Sequence, residues 1–172
     1  LLNIWLAFCN ISMNIYNQSW LFTIVANLYD SENPHLINQC EWQTLANIYG
    51  VKVGLEMFTS EGPSSVEKLK QDGWNVFLDL KLHDIPNTVQ AAAISAGNIG
   101  ADYLTIHIAS GKEALLAAKE SKPKNLKLLG VSTALTSKAY SPQISQRVYE
   151  EFLLAKESKI DGVICPPSEL FK

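Results

Sequence analysis

Six short runs of aliphatic and β-branched residues alternate with segments of helical spacing, and no other feature of this chain limits its fold so strongly. The strand-like runs cover residues 21–26, 51–56, 76–80, 103–108, 126–131 and 162–165. Between the first two, Ile37, Cys40, Thr44 and Ile48 recur at helical spacing over 35–48. A short helix is expected over 64–72, with Ser64 as its N-cap and Gly73 as its stop. Another over 87–99 sets Val89, Ala92, Ala93 and Ala96 on one stripe. Two more are expected over 112–119 and 142–158, the latter burying Ile144, Val148, Phe152 and Ala155.

Strict βα alternation with short connections builds a parallel sheet covered by helices. Two architectures satisfy it. A doubly wound open sheet usually carries a glycine-rich first turn, and Ala26-Asn27-Leu28-Tyr29-Asp30 has none. A (β/α)8 barrel places reactive residues at the C-terminal ends of several strands. Lys52, Asp79, Lys81, His107 and Thr136 fall on or just after strands two to five. The pattern therefore predicts an α/β TIM (β/α)8 barrel, incomplete, with about six of the eight βα units present. Such barrels take about 200 residues or more, so the expectation is a fragment, or a chain completed by another subunit.

The 172 residues are 47% hydrophobic and 18% charged with net charge −3, which is an ordinary globular profile. No basic excess points to nucleic acid. Cys9, Cys40 and Cys165 are scattered without metal-type spacing and read as reduced thiols of a cytoplasmic protein. The apolar opening, residues 1–9, is too short to span a membrane and has no basic flank for a signal peptide. Met13 is a plausible native start. The expected division is an N-terminal extension over 1–19, of which residues 1–12 precede that start, and a partial barrel domain over 20–172.

The chemistry concentrates in Val76-Phe77-Leu78-Asp79-Leu80-Lys81-Leu82-His83-Asp84-Ile85-Pro86-Asn87-Thr88. On a strand, residues i and i+2 face the same way, so Asp79 and Lys81 project side by side. Asp84 follows the strand, and Pro86 suits the first turn of the next helix. A core would not choose alternating carboxylates and ammoniums, although a bare Asp-x-Lys is more often a structural ion pair.

The full string closely resembles the signature of the orotidine 5'-phosphate decarboxylase family, in its bacterial form. The resemblance runs from about Phe22 to the end and is strongest from Val51 to Ala118. It implies a barrel enzyme that converts orotidine 5'-monophosphate (OMP) to UMP and CO2 in de novo pyrimidine synthesis, without metal or cofactor. It assigns Lys52, Asp79, Lys81 and Asp84 to a catalytic Lys–Asp–Lys–Asp network that also binds substrate. Asp84, Ile85 and Thr88 would reach a neighbouring subunit's site, which implies a homodimer. Thr136 would hydrogen-bond the pyrimidine, and His107 would be structural. Neither nucleic acid nor membrane is an implied partner.

Two departures stand out. The family's strand-one aspartate, which binds ribose, aligns with Leu28; Asp30 takes its place only if the strand end shifts by two residues, as a bulge allows. The family's phosphate-gripping arginines lie in strands seven and eight, past Lys172, so little activity is expected of this chain. Two other readings remain: an inactive truncated remnant, and a Mg²⁺-dependent sugar-phosphate decarboxylase or aldolase of the same superfamily. Relatives of the second kind share Asp-x-Lys-x-x-Asp, but Ile85-Pro86-Asn87-Thr88 argues against them.

Overall fold

A computed structural model describes residues 12–14, 19–21, 25–27, 50–133 and 142–164. The helix expected over 35–48, the three cysteines, Leu28, Asp30 and Thr136 lie outside the described residues.

The order of elements is β1 (Ser12–Asn14), β2 (Ser19–Leu21), β3 (Val25–Asn27), β4 (Gly50–Gly54), α1 (Leu55–Glu61), α2 (Ser64–Gln71), β5 (Asn75–Leu82), α3 (Pro86–Asn98), β6 (Tyr103–His107), α4 (Lys112–Ser121), β7 (Lys127–Val131), α5 (Pro142–Glu157) and β8 (Gly162–Ile164). Among the described residues β3 to β8 pair in sequence order, all parallel. Consecutive parallel neighbours, joined by helical crossovers from β4 onward, make the wall of a (β/α)8 barrel, here an incomplete one. Antiparallel strands β1 and β2 continue the sheet from β8, where Met13 pairs Val163.

Side-chain alternation sorts the strands into two faces. Val51, Val53, Val76, Leu78, Leu104, Ile106, Leu128 and Val163 face the helices and join one core with Val66, Leu69, Val89, Ala93, Leu115 and Ala155. The intervening positions point inward, where Phe77, Leu129, Val131 and Ile164 form a second, smaller cluster against Tyr103. Strands buried on both faces are near-continuously apolar, so the inward polar residues Lys52, Asp79 and Thr105 are conspicuous exceptions.

Several boundaries differ from the sequence reading. The first strand was expected as one run over 21–26; Leu21 instead ends β2, and Val25–Asn27 forms the parallel strand. Leu55 and Glu56 leave the expected second strand for α1, which starts directly after Gly54. With seven residues, α1 is too short to announce itself by periodicity. Ser64 does not cap α2: Pro63 holds the N-cap position at φ −56°, and the Ser64 hydroxyl donates to the Glu61 carbonyl at 2.7 Å. Proline's fixed φ already suits a helix entry. Gly73 does stop that helix, at φ +86°, and Pro86 opens α3.

Candidate active site

Three adjacent strands deliver the polar cluster. In β4, Lys52 faces inward between Gly50 and Gly54, and register pairs Gly54 with Asp79. The long lysine side chain runs up the strand, and its Nζ reaches Asp79 Oδ2 at 3.4 Å. Lys81 Nζ meets the same oxygen at 2.6 Å. The expected same-face placement of Asp79 and Lys81 therefore holds, with Leu78, Leu80 and Leu82 turned to the helix side.

The end of β5 is irregular. Leu78 pairs Leu104 and Leu82 pairs Ile106, so four steps along β5 match two along β6. Lys81 absorbs the excess at φ +52°, a conformation that a non-glycine residue rarely holds. Such backbone strain costs about 1–3 kcal/mol and persists only where its surroundings impose it.

Thr105 of β6 is fully buried opposite the irregularity. Its Oγ accepts the Lys81 N–H at 2.8 Å, and its hydroxyl donates to Asp79 Oδ1 at 3.1 Å. Asp79, itself 7% exposed, thus has both oxygens engaged, one by Thr105 and one by two ammoniums. A buried carboxylate stays affordable only with this degree of pairing. Two lysines against one carboxylate leave local positive charge, which suits an anionic ligand.

His107, at the end of β6, lies with its ring 5.3 Å from that of His83. Burial, then the neighbouring His83 and Lys81, lower its pKa below the ordinary imidazole value, against opposing contributions from Glu151 and a hydrogen bond to the Val131 backbone. Glu151 reaches in from α5, buried, and accepts the Thr133 N–H at 2.9 Å.

Not every expected site residue joins the cluster. Asp84 is exposed, and its Oδ1 accepts the Ile85 N–H at 2.7 Å. Ile85 (65% exposed) and Thr88 are also on the surface, at the start of α3. Among the described residues no three His, Cys, Asp or Glu side chains converge as a metal would require. Thr105 was missed by sequence reading. Its only signal is a hydroxyl among the apolar residues of Tyr103-Leu104-Thr105-Ile106, and threonine is at home in any strand.

A parallel βα wall with a Lys–Asp–Lys cluster at its C-terminal rim defines a barrel protein with an inward, electropositive site. The family model described as Orotidine 5'-phosphate decarboxylase / HUMPS family matches residues 42–171. The chain belongs to that family. It is 39% identical over 135 residues to an orotidine 5'-phosphate decarboxylase from a Nostoc species, covering 69% of this chain and 57% of that protein. It is 42% identical over 134 residues to one from Ligilactobacillus salivarius, covering 69% of this chain and 56% of the relative. The crystal structure of orotidine 5'-phosphate decarboxylase from Lactobacillus acidophilus superposes with a TM-score of 0.65 at 32% identity, covering 82% of this chain and 70% of that one. The chain thus spans a little over half the length of the curated relatives it matches.

Proposed function

We propose that this site decarboxylates OMP to UMP, and the observation that carries the reading is the single carboxylate of Asp79 shared by Lys52 and Lys81. In this reaction the C6–carboxylate bond breaks, its electron pair stays on C6, and CO2 departs. The pair lies in the ring plane, where the π system cannot delocalise it. Fixed charge must then supply the stabilisation. Lys81 stabilises the carbanion and hands its proton to C6. Asp79 lies beside the departing carboxylate and holds Lys81, while Lys52 keeps the array in register and contacts ribose. The product feeds pyrimidine nucleotide synthesis, and the protein works in the cytoplasm. Thr136 serves as a hydrogen-bonding contact to the pyrimidine.

A homodimer completes the array, with Asp84, Ile85 and Thr88 contributed to the neighbouring site. Support comes from the exposure of Ile85 (65%) and Leu55 (61%), both just past the C-terminal ends of adjacent strands β4 and β5. An exposed apolar pair at that rim, beside the exposed carboxylate of Asp84, suits a partner subunit.

The test is CO2 release from OMP by the purified chain, assayed at millimolar substrate so that weak binding does not hide the chemistry. The reading predicts slow turnover that EDTA leaves unchanged. Turnover of a ketose phosphate that requires added Mg²⁺, with none of OMP, overturns it in favour of a sugar-phosphate enzyme.

A further inference from the structure

We infer that Thr105 is a positioning residue that sets the relative placement of Asp79 and Lys81. The argument starts from the irregular pairing of β5 with β6. Two extra residues of β5 are accommodated between Leu78 and Leu82, so the regular ladder lapses where the charged side chains must be aimed. A lapse of this kind leaves backbone groups to be satisfied by something other than the ladder. The Lys81 N–H is one of them, and its acceptor is the Thr105 side chain rather than a β6 carbonyl.

The same hydroxyl has one proton to give, and Asp79 Oδ1 takes it. One atom of Thr105 therefore holds the backbone of the lysine and the carboxylate of the aspartate together. It also fixes which oxygen of Asp79 is left for the ammoniums, since Lys52 and Lys81 both meet Oδ2. Complete burial of Thr105 leaves no solvent to replace these bonds. The positive φ of Lys81 needs an anchor of this kind, because relaxation to an ordinary β conformation would swing the side chain away from Asp79. Orientation of this precision is what an electrostatic site depends on.

The test compares Thr105→Val, which keeps the shape and removes the hydroxyl, with Thr105→Ser, which keeps the hydroxyl. Its first readout is independent of activity: the rate at which a lysine-acylating reagent modifies Lys81, divided by the rate at exposed Lys124, measured by peptide mass spectrometry. Thr105→Val is expected to raise this ratio roughly threefold as Lys81 is released, with Thr105→Ser close to the parent protein. A role in stability alone would leave the ratio unchanged in the folded variant, and that result overturns the inference. The second readout rests on the function proposed above: kcat for OMP should fall about tenfold in Thr105→Val with KM little altered, and recover in Thr105→Ser. If the parent chain releases no CO2 from OMP, the functional reading fails while the acylation ratio still decides the role of Thr105. If Thr105→Val does not fold, Thr105→Ala against Thr105→Ser gives the same comparison without the methyl group, and equal ratios in that pair overturn the inference.

Discussion

Asp79 accepts a hydroxyl on one oxygen and two ammoniums on the other, with 9% of its side chain exposed. The sequence exposes half of this arrangement. Period-two alternation puts Asp79 and Lys81 on one face, and Lys52 stands on a neighbouring inward position. Thr105 stayed hidden because its role depends on a pairing irregularity that no local pattern encodes. His107 offers a check at the same level of detail. Burial, His83 and Lys81 depress its pKa, so the unfolded chain binds the proton more readily than the native one. Stability then rises with pH where the unfolded state holds more protons. The contribution is fully present above the unfolded value, near 6.5, and is lost as pH falls toward the depressed folded value. Thermal melts of His107→Gln should accordingly show a shallower loss of Tm below about pH 6.5 than the parent protein. Parallel slopes for the two would remove His107 from the pH response.

The elements are held at their other ends by a repeated device. Asp102, just before β6, accepts the Val76 N–H and Lys70 Nζ on one oxygen, each at 2.7 Å. Asp161, just before β8, accepts the Leu128 N–H at 2.9 Å and Lys119 Nζ at 2.5 Å. Each carboxylate thus ties the first residues of the preceding strand to the helix that leads into that strand, at the N-terminal end of the sheet. Residues at that face of a barrel serve stability, and chemistry sits at the opposite face. Asp102→Ala leaves the N–H of fully buried Val76 without its acceptor and should cost about 1–3 kcal/mol. Urea denaturation measures it, with the acylation ratio at Lys81 unchanged. A loss below a few tenths of a kcal/mol would show that water replaces the carboxylate. The sequence showed the strands and most helices through apolar spacing, because burial of a face leaves that imprint. It did not show α1, which is too short, or the capping by Pro63, which competes with a better-known serine signal. Asp102 and Asp161 gave no sign of their equivalence, since their partners lie 26 and 33 residues away.

At the level of the molecule, alternation of strand and helix allowed both a barrel wall and a doubly wound sheet; the glycine-free first turn and the charged residues at strand ends chose the barrel, and the parallel order from β3 to β8 agrees. On the inward face of that wall, apolar Phe77, Leu129 and Val131 share the surface with charged Lys52, Asp79 and Lys81. Asp79 and Lys81 lie in the C-terminal half of β5, toward the face at which barrel chemistry sits. The functional reading depends on Lys81 acting as the acid, and its removal tests this most directly. CO2 release from OMP should be measured for the parent chain and for Lys81→Ala under identical conditions. Turnover in Lys81→Ala is predicted to fall by roughly a thousandfold, to background for a slow parent. A rate within a few-fold of the parent would contradict the proposal that the Lys–Asp array performs the decarboxylation.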